Sequence, residues 1–163
     1  MKDMSAVRPL TIEDFERLPA ELSHQSLRDE LITMLLPYVT KHELGRVICG
    51  QDYDFGGNAL GPDLSFFGRE KLRLCEGKLR VQRFVPDLAI EIVSENDTFA
   101  RLMKKADLYR KCGTKEAWIL DAETRTTFLF SEERDAILDE NQPFQSSLIP
   151  GFSVRIGDLF DRL

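Results

Sequence analysis

The stretch 85-VPDLAIEIVSEN-96 decides how this chain is read. Leu88, Ala89, Ile90, Ile92 and Val93 give 87–94 the apolar density of a buried strand, yet two carboxylates, Asp87 and Glu91, lie within it. Strand side chains alternate between faces, so Asp87, Ala89, Glu91 and Val93 share one face. At about 3.3 Å per residue the two acids stand roughly 13 Å apart, too far to hold one ion together. Pro86 imposes an extended approach, and Asp87 therefore reads as a residue of the strand's start, at its rim. Glu91 is different: apolar neighbours surround it, and an unpaired buried carboxylate is costly.

Its partner must come from another strand. The same Pro-Asp-Leu occurs at 61-GPDLSFFG-68, again leading into an apolar run. Neighbouring strands lie about 4.8 Å apart. Asp63 and Glu91, facing each other across such a pair, are candidates to share a divalent metal, with the Ile92 carbonyl as a further oxygen ligand. The plainer reading is a pair of edge carboxylates, solvated or salt-bridged.

The surroundings read as one mixed α/β domain over 1–163. A helix is expected at 11–18, with Thr11 and Asp14 at capping-box spacing and Pro19 ending it. A longer helix runs through 22–45, where Leu27, Leu31, Met34 and Leu35 recur at helical spacing; Pro37 either kinks it or ends it early, and Gly45 is the expected stop. Strands follow at 46–55 and 64–67, and 69–84 reads as a loop or short helix. After the opening strand, Thr98 caps a helix that stops at Gly113. Strands at 116–121, 125–131 and 135–140 form a meander, and a short helix closes the chain.

The chain has 163 residues, 42% hydrophobic and 31% charged, the composition of a soluble globular domain. No run nears the roughly 18 apolar residues of a membrane helix, and 1–10 lacks the apolar core of an export signal. Cys49, Cys75 and Cys112 show no CxxC spacing and read as reduced thiols, so the expected location is the cytoplasm.

Net charge is −6, but it is unevenly distributed. Residues 69–115 carry 12 basic and 7 acidic groups, while both flanks are acidic. This middle segment includes Arg69, Lys71, Arg73, Lys78, Arg80, Arg83, Arg101 and Lys104. It is either a set of solvated faces or a phosphate-facing surface on an otherwise acidic protein. No phosphate loop is present, since 56-GGNALG-61 lacks the following Lys-Ser/Thr. Two histidines, His24 and His42, do not support a Ser-His-Asp or His-rich zinc site. Trp118 and Tyr109 read as core residues.

Several segments together resemble a known family. They are 10-LTIEDFERLP-19, 61-GPDLSFF-67, 86-PDLAIEIVS-94, Lys105 with Tyr109 and Gly113, 116-EAWILD-121 and 148-LIPGFSVRIGDLF-160. In this order they are similar to the Uma-two family of putative restriction endonucleases, within the PD-(D/E)xK nuclease superfamily. The resemblance implies a restriction-endonuclease-like core: a mixed central sheet flanked by helices, with a C-terminal β meander. It implies Mg²⁺- or Mn²⁺-dependent hydrolysis of DNA phosphodiester bonds, with Asp63 and Glu91 as metal ligands. A homodimer would suit cutting of both strands.

The chain departs from the family pattern in two places. The strand lysine two residues after the glutamate is replaced by Val93, and Lys105, on the inward helix face with Leu102 and Tyr109, is the expected substitute. Its plainer reading is a side chain snorkelling from the apolar stripe. The family's acidic hairpin between the first helices is also missing from 18-LPAELSHQSL-27, unless Glu21 or Glu30 takes over its function. His24, where a family histidine falls, and Ser94 are further accessory candidates. These departures leave a rival expectation, a nuclease-fold module that binds DNA or protein without cutting. A third expectation is a protein partner for the acidic flanks.

Overall fold

The computed structural model describes residues 21–163. The helix expected at 11–18 lies outside them. The first described helix, α1 (Glu21–Lys41), continues past Pro37 rather than ending there. Leu27, Leu31, Leu35 and Val39, spaced four apart, are all buried along one stripe.

The helix stops short of Gly45, where strand β1 (Gly45–Cys49) begins. At Gly45, φ is +154°, and a Cβ would lie 1.9 Å from the Phe67 carbonyl oxygen, so only glycine lets these backbones approach this closely. The single strand expected at 46–55 is broken. Gly50 takes φ +67°, and β2 (Asp52–Phe55) leaves to form a small sheet with β3 (Asn58–Leu60) and β5 (Val81–Gln82). Between β4 (Leu64–Gly68) and β5 lies a 3₁₀ helix, Arg69–Glu76.

The central sheet has the order β1-β4-β6-β7-β8-β9, completed by β6 (Leu88–Ile92), β7 (Glu116–Asp121), β8 (Thr126–Ser131) and β9 (Asp135–Leu138). Only the β6–β7 pair is parallel, and the crossover between them is α2 (Phe99–Lys111). The Thr98 hydroxyl accepts the Arg101 N–H, 3.3 Å, as an N-cap should. The expected meander forms the far half of this sheet. A short ribbon, β10 (Pro143–Phe144) with β11 (Val154–Arg155), and helix α3 (Ile156–Phe160) complete the chain.

Alternation along β6 divides the core. Leu88, Ile90 and Ile92 join the cluster under α1 with Leu64, Phe66 and Trp118. Ala89 faces the other cluster, where Leu102, Ala106 and Tyr109 of α2 meet Ala117 and Ile119. Glu91 has the parity of Ala89, so the carboxylate is directed under α2.

Candidate active site

The register of β4 against β6 pairs Leu64 with Ile90 and Ser65 with Ala89. Asp63 is the residue just before this ladder; continued by one step the register leads from Asp63 to Glu91, and the Asp63 carboxylate lies at this end of β6. The two Pro-Asp-Leu segments therefore differ in what they place there: the first sets its aspartate at the Glu91 end of β6, the second puts Asp87 at the far end.

Asp63 is held from two sides. Its Oδ2 accepts the Ile92 N–H at 2.8 Å and lies 3.2 Å from His24 Nε2 near the start of α1. N–H and C=O of one strand residue point to the same side, so the Ile92 carbonyl is directed to the same strand edge as Asp63.

Glu91 is held by α2. Lys105 Nζ donates to Oε2 at 3.0 Å, and the Tyr109 hydroxyl donates to Oε1. Lys105 and Tyr109 are four apart and so lie on one helix face. Burial pushes the Glu91 carboxyl above its ordinary range; Lys105 and the Tyr109 hydroxyl pull it back, and Asp63 adds to the rise. Burial first, then the charge of Glu91, drives the Tyr109 phenol far above its ordinary value, so it stays a donor. Residue-type patterns place Tyr109 in the core, where its ring is indeed fully buried. They do not reveal that its hydroxyl holds Glu91; the available signal was the four-residue spacing from Lys105, facing a strand acid.

Asp87 is buried rather than at a rim. Its Oδ2 accepts the Gly68 N–H at 2.9 Å, and Lys71 Nζ lies 2.9 Å from Oδ1. Burial opposes its charge, but the Gly68 N–H and the ammoniums of Lys71 and Lys115 overcome this and hold its carboxyl below the usual range. It fastens the start of β6 to the end of β4, well away from Glu91.

Val93 is half-buried against the cluster under α2 and lines a cleft of about 500 Å³ with Leu102, Ile119 and Phe128. No ammonium emerges from the strand at this place, and the one that reaches Glu91 comes from the helix.

Two accessory candidates make their contacts elsewhere. The Ser94 N–H and hydroxyl both donate to Asp97 Oδ2, at 3.0 and 2.8 Å, closing the turn before α2. Glu30 pairs with Arg162, 3.4 Å away, and makes no hydrogen bond to Asp63 or Glu91. Among the expected phosphate-facing residues, Lys71 directs its ammonium to Asp87 and the Val85 carbonyl. Arg83 pairs with Asp54 at 3.1 Å. Arg69, Arg73, Lys78, Arg80, Arg101 and Lys104 are exposed, with no carboxylate within 4.0 Å among the described residues.

This geometry coincides with a family match. The model described as "Uma2: Putative restriction endonuclease" matches residues 15–157. The chain belongs to the Uma2 family. A crystal structure of a putative nuclease belonging to DUF820 from Anabaena variabilis is similar to this Uma2 chain, with a TM-score of 0.77 at 20% identity. The match covers 94% of this chain and 99% of that one, so the two share a fold. No curated protein matches. Restriction-endonuclease-like families generally use divalent metals and act on DNA.

Among the described residues, no three His, Cys, Asp or Glu side chains converge as a ready metal cluster. A two-carboxylate donor set still fits Mg²⁺, which is commonly held by one or two carboxylates and otherwise by water and substrate phosphate. Asp63, Glu91 and the Ile92 carbonyl edge are hard oxygen donors of that kind. Among the described residues, no helix is long and apolar enough to cross a membrane.

Proposed function

We propose that this Uma2 chain is a Mg²⁺- or Mn²⁺-dependent DNA endonuclease, working in the cytoplasm as a homodimer. The observation that supports it most is the approach of Asp63, just before β4, to the end of β6, where its carboxylate takes the Ile92 N–H next to Glu91, with Lys105 brought to Glu91 from α2. Asp63 and Glu91, with the Ile92 carbonyl, would hold the ion. A bound divalent ion would supply polarisation of the scissile phosphate and a hydroxide at neutral pH.

The chain's own residues do the rest. His24 and the Ile92 N–H orient Asp63. Tyr109 fixes one oxygen of Glu91 and leaves the other toward Lys105. Lys105 is positioned to exchange Glu91 for the charge developing on the phosphate, the task of the missing strand lysine. Arg69, Arg73, Lys78, Arg80, Arg101 and Lys104, exposed and without carboxylate partners among the described residues, would meet phosphates.

One observation favours the rival reading of a module that binds without cutting: both oxygens of Glu91 are engaged inside the protein, and Val93 supplies no ammonium. Mn²⁺ calorimetry and plasmid nicking, run in parallel on wild type and Asp63→Asn, separate the two. The endonuclease reading expects Mn²⁺ binding and metal-dependent nicking, both lost in the variant. A wild type that binds duplex but neither Mn²⁺ nor a nicking product would establish the binding module instead.

A further inference from the structure

The excursion between β4 and β5 holds three of the seven exposed large apolar side chains among the described residues. Leu72, Leu74 and Leu79 are 37%, 47% and 56% exposed, and no residue of the 3₁₀ helix is buried. Such exposure often accompanies a mobile loop, but this backbone is tied down from beneath. Arg46 donates to the Cys75 carbonyl, Gln51 to the Arg80 carbonyl, and Gln82 to those of Gly77 and Leu79. Lys71 anchors the first turn through Asp87. Four side chains thus hold a platform whose apolar tips face water. Water is a poor partner for fixed leucines, and fixing them in advance lowers the cost of binding something else.

The charges on the same platform indicate what that partner is. Arg69, Arg73, Lys78 and Arg80 are exposed and without carboxylate partners among the described residues. Elsewhere Arg28, Arg110, Lys111, Arg125, Arg155 and Arg162 are paired, while Lys41, Arg101, Lys104 and Arg134 share the lack of a carboxylate partner among the described residues but stand apart from any exposed leucine cluster. The same stretch carries two exposed acids, Glu70 and Glu76, so its four unpaired cations leave it net basic on an acidic protein; such cations interleaved with protruding leucines complement a polyanion that also has an apolar interior. Duplex DNA entered through its minor groove is such a target: basic side chains take the phosphates while an apolar wedge unstacks a base step.

We propose that residues 69–80 form a DNA wedge, with Arg69, Arg73, Lys78 and Arg80 on the backbone and Leu72, Leu74 and Leu79 against or between base pairs. This deepens the endonuclease reading and rests on it. The wedge begins where β4 ends, and Asp63 lies just before β4 starts, so roughly 20 Å separate them at about 3.3 Å per residue. One turn of duplex, about 34 Å, spans both.

The test uses a 30-base-pair duplex carrying end-to-end energy-transfer dyes and an internal 2-aminopurine. Wild type should shorten the end-to-end distance and raise the 2-aminopurine signal. Leu72→Ser/Leu74→Ser/Leu79→Ser should abolish both and weaken binding about tenfold or more while keeping the salt dependence. Arg69→Gln/Arg73→Gln/Lys78→Gln/Arg80→Gln should instead flatten the salt slope by about three to four. Because the leucines support no core, the triple variant should melt like wild type, and the 2-aminopurine readout on wild type needs no variant. A wild type that nicks plasmid without bending or unstacking the duplex overturns the wedge and leaves the endonuclease reading standing. A wild type that binds no duplex removes both. Loss of self-association, or of binding to phosphatidylserine vesicles, with DNA binding unchanged in the triple variant would assign the leucines to another partner and overturn the wedge.

Discussion

Replacing Lys105 by Met keeps most of the side chain's length and apolar body but removes the cation from Glu91. The contact it deletes is a charge-assisted hydrogen bond of 3.0 Å, with the lysine side chain 22% and the glutamate 9% exposed. Hydrogen bonds to charged groups contribute about 1.5–3 kcal/mol, so the expected loss at neutral pH is about 2 kcal/mol. For a domain of this size that lowers Tm by about 4–8 °C. The pH dependence is the more telling quantity. The folded Glu91 carboxyl lies above its unfolded value of about 4.3, chiefly through burial. Its contribution is therefore fully present below that value and is lost as pH rises through the folded pKa. Lys105 limits the loss. Without it the folded carboxyl moves further up, so the variant should match wild type near pH 4 and fall progressively behind toward pH 8. Urea unfolding at several pH values, followed by the fluorescence of the single, buried Trp118, measures this directly. A deficit that stays constant across the range, or no deficit, would show that Lys105 does not act through the charge of Glu91.

Two other substitutions probe the supports on either side. Tyr109→Phe keeps the ring against Phe55, centroids 4.4 Å apart, and removes only the donor to Glu91. It should cost about 1.5–3 kcal/mol in urea unfolding and weaken Mn²⁺ binding by calorimetry; unchanged Mn²⁺ affinity would leave Tyr109 a packing residue. Asp87→Ala strands the Gly68 N–H and Lys71 and should cost about 3 kcal/mol at neutral pH. Because the folded Asp87 carboxyl is depressed, its contribution is present above the unfolded value and lost as pH falls through the folded pKa. The deficit of Asp87→Ala should accordingly shrink in acid, and an acid-independent deficit would count against an ionic role.

Much of this arrangement was legible locally. The alternation in 88-LAIEI-92 assigns Glu91 to the face opposite Leu88 and Ile90, the helix spacing puts Lys105 and Tyr109 on the side of α2 that packs inward, and Thr98 caps where a Thr before a helix should. These features depend on neighbours within four residues. The break at Gly50 was not legible, because a continuous strand over 46–55 and one broken at Gly50 differ only in which distant strand, β4 or β5, receives the backbone of 52–55. Lys71 shows the same limit for charge. In sequence it is one cation in a basic run, and only the proximity of Asp87, sixteen positions later, commits it to the interior.

The sequence by itself determined that a carboxylate would be buried in a strand, that an aspartate would lead a neighbouring strand, and that a helix would follow with a lysine turned inward. It did so because period-two and period-3.6 patterns assign faces without knowledge of the partner. Tertiary structure alone decided that His24 and the Ile92 N–H reach Asp63, that Asp87 is buried against Lys71, and that Tyr109 and Lys105 divide the two oxygens of Glu91. Those outcomes depend on strand register and on the placement of α2 over β6, where a shift of one residue turns every side chain to the opposite face.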